Sequence, residues 1–266
     1  MSAAAGAPMI VLDHVDKVFG EHHAVRDLSF SVAQGEIVAI VGRTGAGKST
    51  ALHMIMGVMA PTRGTVTVAG VDPYRQFRDL KGRLAVSFQT DRLLPWRTAL
   101  ENVALGLQIL GVDAAERRAR AENWLANVKI VGAENIHKYP HQLSGGMRQR
   151  VSLARALAVD PELVLLDESF SQLDHVTSKT LRSDFTELVR RLGKTCVLIT
   201  HRIDDALEMA DRVLVLAAPA QLALEVRVTP ALRADAAWLA QHHHRIAEAM
   251  GGEESSSEET ATAAAE

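Results

Sequence analysis

Residues 36–50 read EIVAIVGRTGAGKST, an apolar run followed by a glycine-rich loop, one lysine and two hydroxyl side chains. The apolar run predicts a buried strand, and a helix is expected over about 48–56. Glycines at this spacing let consecutive backbone N–H groups converge on phosphate oxygens, while the following helix points its positive end at the same anion. An ordinary glycine-rich turn is the alternative, but the flanking strand and helix favour a phosphate-binding loop. The residues predicted to contact nucleotide are Gly42, Arg43, Thr44, Gly45, Ala46, Gly47, Lys48, Ser49 and Thr50.

Two side chains of this loop have separate predicted roles. Lys48 would place a positive charge at the β- and γ-phosphates of a nucleoside triphosphate. Ser49 would offer its hydroxyl to Mg²⁺, a small hard cation that prefers oxygen ligands and keeps several waters.

A second candidate for the same site is the stretch LVLLDE at 163–168, an apolar run that ends in two acids. A buried strand would deliver both carboxylates at its carboxyl end, where parallel sheets bind ligands. We expect Asp167 to hold Mg²⁺ through water and Glu168 to orient and deprotonate the water that attacks the γ-phosphate. A strand ending in acids is weak evidence alone, but together with the loop it predicts a hydrolytic nucleotide site.

The order of strand and helix patterns predicts an α/β fold. Residues 9–41 contain consecutive strand patterns, and later apolar runs alternate with helical patterns. This alternation favours a mostly parallel sheet flanked by helices. Strand signals are almost absent from about 93 to 160, which indicates an inserted helical subdomain. A last helix within 229–250 and a disordered acidic tail at 251–266 complete the predicted order.

Composition and charge exclude some classes of partner. The chain has 266 residues, of which 47% are apolar and 23% charged, as in a globular protein with its own core. Five of its 32 acidic side chains lie after Met250, so residues 1–250 hold 27 acidic and 29 basic side chains, a net charge of +2. Without a basic excess, nucleic acid is not expected as a partner.

Cysteine use and hydropathy indicate a cytosolic protein. The single cysteine, Cys196, excludes an internal disulfide and fits a reducing compartment. The first ten residues, MSAAAGAPMI, lack the positive and apolar regions of a secretory signal. The longest apolar-rich stretch, 213–226, falls well short of the roughly 20 residues that a membrane span needs. If a membrane is involved, we expect another chain to cross it.

The stretch LSGGMRQR at 143–150 resembles the signature motif of ABC ATPases, whereas the phosphate loop alone is shared by many nucleotide triphosphatases. Ser144 is suited to cap a helix whose first turn contains Gly145 and Gly146, leaving N–H groups free for a phosphate. A plain capped helix is the alternative. The resemblance covers residues 9–228 and implies a P-loop NTPase core of the RecA-like kind, an N-terminal antiparallel β subdomain and the inserted helical subdomain.

The same resemblance implies further site residues. Gln89 is similar to the glutamine that touches Mg²⁺ and the attacking water, and Asp174 is similar to the D-loop acid. His201 resembles the switch histidine that contacts the γ-phosphate, and we predict that it is catalytic together with Glu168. Phe19 occupies the position where the family stacks an aromatic ring on adenine, although a Phe at a strand end is often a core residue. The predicted metal ligands are Ser49, Gln89 and Asp167.

The resemblance also implies a motor built from two copies. In this family two subunits pack head to tail, and each ATP, with its Mg²⁺, lies between the phosphate loop of one and the signature helix of the other. The implied partners are a second ATPase subunit (a homodimer), transmembrane permease subunits and an extracytoplasmic solute-binding protein. The implied location is the cytoplasmic face of the inner membrane, as a peripheral subunit. The stretch RLLPWR at 92–97 is a candidate docking surface for the permease, with internal packing as the alternative.

The stretches 88–107 and 143–157 are most similar to importer ATPases for nitrate, sulfonates and taurine, so import of a small anion is expected. The chain departs from that group at four places, which are Arg43-Thr44, Ser169, Gln172 and Arg202. None removes a group needed for chemistry, but Ser169 lacks the stiffness of the usual proline. The alternative function is a soluble ABC ATPase with a non-transport mechanical role on ribosomes or DNA; a single module without sustained heptads argues against it.

Overall fold

Strands and helices alternate along the chain, whose computed structural model describes residues 7–171 and 175–251, without the side chains of 175 and 176. Short 3₁₀ turns lie at Phe77–Leu80 and Pro140–Gln142. The α/β class predicted from the sequence is confirmed. In chain order the elements are β1 (Ile10–Phe19), β2 (His22–Val32), β3 (Ile37–Val41), α1 (Lys48–Ile55), β4 (Arg63–Val68), β5 (Leu84–Ser87), α2 (Ala99–Ile109), α3 (Ala114–Asn127), α4 (Ala133–Ile136), α5 (Gly145–Ala158), β6 (Leu163–Asp167), α6 (His175–Arg191), β7 (Thr195–Thr200), α7 (Ile203–Met209), β8 (Arg212–Ala217), β9 (Gln221–Arg227), α8 (Pro230–Arg233) and α9 (Ala236–Ala249).

The first two strands and β4 form a separate three-stranded antiparallel sheet in the order β2-β1-β4. Phe19 pairs with His22 at the tip of the β1-β2 hairpin, where Gly20 and Glu21 make the turn. This sheet confirms the predicted antiparallel part at the N-terminus.

The larger sheet has six strands in the order β5-β6-β7-β3-β8-β9. Neighbouring strands are parallel except for β8 and β9, which form an antiparallel hairpin at one edge. Every residue of β3 and β7 is buried, as expected for strands covered on both faces. The mostly parallel sheet predicted from the alternating pattern is confirmed.

Side chains of β3 alternate between two hydrophobic clusters, one on each face of the larger sheet. Val38 and Ile40 pack in the cluster that includes α1 and the N-terminal sheet. Ile37, Ala39 and Val41 pack in the cluster that includes α6, α7 and α9. The strand period of two therefore produces a layered molecule, with the sheet between two apolar cores.

Helices α2 to α5 lie between β5 and β6 and contribute to a third hydrophobic cluster. Thr98 begins α2 with a capping box, in which its side chain and that of Glu101 satisfy each other's backbone N–H groups. The fully buried Asn102 fixes the preceding loop, since it accepts from the N–H of Leu94 (2.8 Å) and donates to the Arg97 carbonyl (3.0 Å). These helices occupy the segment that the sequence predicts as a helical subdomain.

The single helix predicted within 229–250 is two helices in the structure, α8 and α9. Thr229 caps α8, which has Pro230 in its first turn and ends after one turn. Asp235 then starts α9 by accepting hydrogen bonds from the N–H groups of Ala237 and Trp238. The break therefore occurs because Asp235 is itself an N-cap residue. Within the described ranges, no helix is long and apolar enough to cross a membrane.

Candidate nucleotide site

Four segments predicted to act on nucleotide meet at one edge of the larger sheet. Strands β5, β6, β7 and β3 are adjacent and parallel, so their carboxyl ends lie side by side. Beyond these ends lie Gln89, the pair Asp167 and Glu168, His201, and the phosphate loop 42–50. This is the edge at which parallel α/β sheets bind ligands.

The phosphate loop is shaped by glycines that have no room for a side chain. A Cβ on Gly42 would lie 2.6 Å from the carbonyl oxygen of Leu216, and one on Gly47 would overlap the carbonyl oxygen of Ala24. Gly47 also has a φ of 81° at the start of α1, a conformation that glycine adopts easily. The loop therefore turns tightly between β3 and α1, which directs the first helical N–H groups toward the site.

Lys48 is the buried cation of the loop, with 6% of its surface exposed. Its ammonium donates to the carbonyl oxygens of Gly42 (2.6 Å) and Arg43 (2.9 Å). Burial lowers the pKa of Lys48, and the charges of Glu168 and Asp167 act in the opposite direction. The lysine therefore lies in the electrostatic field of both acids that end β6.

Asp167 is the last residue of β6 and is half-buried. Burial, and next the neighbouring charge of Glu168, raise the pKa of the Asp167 carboxyl above its usual value. Two carboxylates that repel each other form a set of oxygen donors, which is the kind of ligand that Mg²⁺ prefers. These residues fit a divalent cation, because its charge would relieve the repulsion.

Glu168 and His201 are in direct side-chain contact. Among the described site residues outside the phosphate loop, no other pair of side chains is hydrogen-bonded or ion-paired. The Nδ1 atom of His201 lies 3.1 Å from Oε1 of Glu168. Glu168 has a φ of +47°, a left-handed conformation that costs a non-glycine residue roughly 1–2 kcal/mol. Its backbone is held there by bonds from its N–H to Ile199 (2.8 Å) and from the Ser171 hydroxyl to its carbonyl (2.8 Å). The strained turn carries the carboxylate toward the end of β7.

Two further predicted residues lie at the border of this edge. Gln89 is exposed and follows β5 by two residues, and among the described residues no hydrogen bond or ion pair joins it to the acids of β6. Phe19 is 48% exposed at the tip of the β1-β2 hairpin, with the Lys17 ammonium 5.2 Å from its ring centroid. The core alternative for Phe19 is therefore wrong, and its ring is available for stacking. A cavity of about 410 Å³ lies between this hairpin, Gly45 and the turn at Pro219.

The signature residues lie in a different part of the molecule. Ser144 caps α5 by accepting a hydrogen bond from the N–H of Met147 (3.3 Å), as the sequence predicts. Ser144 and Gly145 are exposed, and α5 packs against α2 and α3. Among the described residues, no hydrogen bond or ion pair joins 144–146 to the phosphate loop. Asp174 and Gln172 lie outside the described residues.

Two of the departures from the usual pattern have partners that the sequence did not reveal. The buried Ser169 hydroxyl donates to the carbonyl of Ser87 (2.9 Å), which ties the turn after β6 to the end of β5, just before Gln89. Arg43 donates to the carbonyl of Gly251 (2.7 Å), which ties the phosphate loop to the end of α9. The only sequence signal for either contact was an unusual residue inside a motif.

Comparison with known proteins agrees with this geometry. A sequence model described as "ABC transporter" matches residues 25–171, more than half of the chain. The chain belongs to the ABC transporter family. It is an ATP-binding subunit with ATPase activity, and its cofactors are ATP and Mg²⁺.

Relatives of this ABC protein include named import subunits. The aliphatic sulfonates import ATP-binding protein of Mycobacterium avium is 42% identical over 205 residues, which cover 77% of this chain and 76% of that protein. A nitrate import ATP-binding protein of Synechocystis is 37% identical over 217 residues, covering 79% of this chain and 31% of that protein. Other relatives of 39–40% identity are named for transport of glycine betaine and proline betaine, or for import of ferric iron or methionine.

A solved structure supports the same family. A dimeric ATP-binding cassette in a post-hydrolysis state, bound to ADP and Pi, has 32% identity to this ABC protein and a TM-score of 0.72. The match covers 83% of this chain and 99% of that chain. The likeness therefore extends over almost the whole of that cassette.

Proposed function

We propose that this ABC ATPase powers the import of a small anion, such as a sulfonate, taurine or nitrate, through a separate membrane permease. The observation that supports ATP hydrolysis is the 3.1 Å contact between His201 and Glu168. This contact lies at the sheet edge where the phosphate loop begins, and the loop contributes the buried Lys48. The two subunits work as a homodimer at the cytoplasmic face of the membrane, with a solute-binding protein on the far side.

The phosphate loop binds and orients the triphosphate. Backbone N–H groups of 42–47 and the first turn of α1 bind the phosphate oxygens, and Lys48 neutralises the β- and γ-phosphates. Phe19 stacks on adenine, which places the base near the cavity beside Gly45. The role of the whole loop is electrostatic, because phosphoryl transfer depends mainly on position and charge.

Hydrolysis depends on the side chains that end β6 and β7. Glu168 orients the attacking water and accepts its proton, and His201 fixes the direction of that carboxylate while contacting the γ-phosphate. Ser49, Asp167 and Gln89 would hold Mg²⁺, which would supply charge that neutralises the phosphate oxygens of the transferring group.

The signature helix acts on the nucleotide of the other subunit. Ser144 caps α5, a helix of 14 residues whose first turn contains Gly145 and Gly146. Ser144 and Gly145 are exposed, and the first backbone N–H groups of a helix suit a phosphate. They belong to the helical segment rather than to the sheet edge that carries the loop. A head-to-tail pair of subunits would bring this helix start to the partner's loop, and a solved cassette with ADP and Pi is dimeric.

The permease docks on the stretch 92–97 of each subunit. Trp96 is 70% exposed and Pro95 is also exposed, whereas Leu93 is buried in the cluster of α2 to α5. Part of the stretch therefore anchors it, and the exposed part offers an aromatic side chain of the type enriched at interfaces. Its backbone is held by Asn102, so the surface is rigid before the partner binds.

The small-anion solute is supported by the relative named for aliphatic sulfonates and by the relative named for nitrate. To test it, the chain is co-purified with its native permease, reconstituted in vesicles, and assayed for ATP turnover with sulfonate, taurine, nitrate or glycine betaine. We expect one of the anions to raise turnover most. If glycine betaine alone raised ATP turnover, the proposal of an anionic solute would be wrong. If the chain co-purified with ribosomes instead of a permease, the proposed transport function would be wrong.

Glu168→Gln tests the catalytic assignment most directly. The amide cannot accept the proton of the attacking water, so we expect steady-state hydrolysis to fall by about 10²-fold or more. ATP binding should persist, and an ATP-bound dimer should accumulate, which light scattering on a sizing column would measure.

The matched control for this variant is Glu162→Gln, which makes the same chemical change at the other end of β6. Glu162 pairs with Arg83 and lies far along the strand from the loop. Its turnover should equal that of the unaltered protein. Equal turnover in Glu168→Gln as well would contradict the role of Glu168.

A further inference from the structure

A second cavity, of about 780 Å³, is lined by α6, α7, α8 and α9, and none of its lining residues belongs to the nucleotide site. Its volume lies within the roughly 300–1,000 Å³ of small-molecule sites. Leu207, Met209 and Leu239 contribute an apolar surface to its lining, and the first two are buried. The cavity is therefore large enough for a small molecule with a hydrocarbon part.

Two neighbouring guanidinium groups make one side of this cavity positive. Arg233 donates to the carbonyls of Leu207 (3.0 Å) and Ala210 (2.6 Å), and in the described ranges no carboxylate lies within ion-pair distance of it. Arg190 donates to the carboxylate of Asp211 (2.6 Å). Burial, and next the charge of Arg190, lower the pKa of Arg233, whereas the charge of Asp211 acts in the opposite direction. Each guanidinium has five N–H groups, so both retain donors for an anion.

Two of the three acidic side chains of the lining lie within ion-pair distance of a basic side chain. Glu208 is 2.7 Å from Arg182, and Asp204 is 3.7 Å from His243. Glu187 is exposed on α6, as is Lys179, which carries the opposite charge. The positive charge of Arg233 therefore remains available within the cavity.

We propose that this cavity binds an organic anion with an apolar body, its carboxylate, sulfonate or phosphate group on Arg233 and Arg190 and its hydrocarbon on Leu207, Met209 and Leu239. Guanidinium groups suit such oxyanions because their paired N–H donors match two oxygens at once. Binding in this cavity also changes the rate of ATP hydrolysis. This second part of the proposal rests on the proposed role of His201.

A buried ion-pair network connects the cavity to the hydrolytic edge. Arg182, which is 1% exposed, lines the cavity and pairs with Asp205 (2.9 Å) and Glu208 (2.7 Å). Asp205 also pairs with Arg202 (3.4 Å), the residue directly after His201. Since α7 begins two residues after His201, a ligand that shifts α7 against α6 acts on the segment that carries the histidine.

Calorimetric titration of the full chain tests the binding. The probes are sodium hexanesulfonate and sodium hexanoate, with sodium sulfate lacking the apolar body and hexyltrimethylammonium bearing the opposite charge. We expect only the two organic anions to bind. Arg233→Met should weaken them about tenfold or more, because it removes charged hydrogen bonds.

A cavity-filling variant keeps the test independent of folding. Ala240→Phe adds an aromatic ring at an exposed position of α9 that lines the cavity, and it should abolish binding. Ala237→Phe makes the same change at an exposed position of α9 outside the lining, and it should leave binding unchanged. Hexanesulfonate should alter ATP turnover in the unaltered protein and in Ala237→Phe, but not in Ala240→Phe.

Several results would overturn the proposal. Absence of binding by both organic anions, equal binding of the cation, or full binding in Ala240→Phe would each refute the site. Binding that appears only after removal of residues 252–266 would make the chain's own acidic segment the occupant instead. Binding without any change in ATP turnover would refute only the coupling between the cavity and hydrolysis. The proposed catalytic residues are tested separately, by the turnover of Glu168→Gln without any probe.

Discussion

The two ends of strand β6 carry acidic side chains in opposite electrostatic settings. At the amino end, Glu162 forms two hydrogen bonds with Arg83 (2.7 and 3.1 Å), and this partner lowers the pKa of the glutamate. At the carboxyl end, Asp167 is half-buried beside Glu168, and burial and that neighbour raise its pKa. Glu168 additionally occupies a left-handed backbone conformation. The ion pair at the amino end therefore stabilises the fold, whereas the carboxyl end retains repulsion between two carboxylates and a strained backbone.

The contrast indicates that carboxylates without a cationic partner mark a candidate ligand site in an α/β sheet. Carboxylates that serve the fold have cationic partners, whereas carboxylates that serve a ligand are kept close together until the ligand neutralises them. Three substitutions sharpen the contrast, and their expected effects decrease in size.

Lys48→Ala should have the largest effect, because we propose that this cation binds the phosphates of ATP. We expect ATP affinity to fall about 10- to 100-fold, as charged hydrogen bonds to phosphate are lost. Titration with a fluorescent ATP analogue would measure it, with Lys81→Ala, an exposed lysine after a 3₁₀ turn, as the control. Normal ATP affinity in Lys48→Ala would undo the assignment of the phosphate loop.

Asp167→Asn should raise thermal stability while abolishing Mg²⁺-dependent hydrolysis. The pKa of this carboxyl is raised in the folded protein, so its charged form costs stability above the folded pKa, and that cost disappears as the pH falls below about 4. Without nucleotide and with EDTA, we expect Tm at pH 7.5 to rise by about a few degrees and the difference to vanish in acid. A lower Tm at neutral pH would contradict the electrostatic account.

Glu162→Gln should have the smallest effect and the opposite sign. Here the folded-state pKa is lowered, so the stabilisation is present above the usual glutamate pKa and is lost as the pH falls through the folded value. The pair is partly exposed, so the loss should stay below about 1 kcal/mol, or about one or two degrees in Tm. A double-mutant cycle with Arg83→Gln would isolate the pair, and zero coupling would show that it contributes nothing.

Local sequence patterns predicted most of the elements that carry the site. The strand 195–200 has the same bounds in the structure, and Ser144 caps α5 as expected. Glycine spacing and apolar runs are local properties, so they can be interpreted without knowing the fold. The break between α8 and α9 was missed because Asp235 lies inside a helical pattern and acts as a cap only in the structure.

Contacts between distant segments were less accessible to sequence reasoning. The bond from Ser169 to Ser87 spans 82 residues, and that from Arg43 to Gly251 spans 208. Both involve residues that interrupt a familiar motif, so the sequence indicates where something differs but not what the side chain contacts. The cavity beneath α8 and α9 has no local signature at all, because its lining comes from four helices.

Residue types and short spacings predict the chemistry of this protein: a glycine loop with Lys48 for phosphate, two acids that end a buried strand, and a serine-capped helix start. These features depend on residue type and short spacing, which the backbone converts directly into donors and charges. Which of these features come into contact depends on the order of the strands in the sheet, and the sequence does not reveal that order. Because β6 and β7 are neighbours in the sheet, Glu168 contacts His201 across 33 residues, whereas Ser144, on a helix with its own core, remains separate from the loop of its own chain.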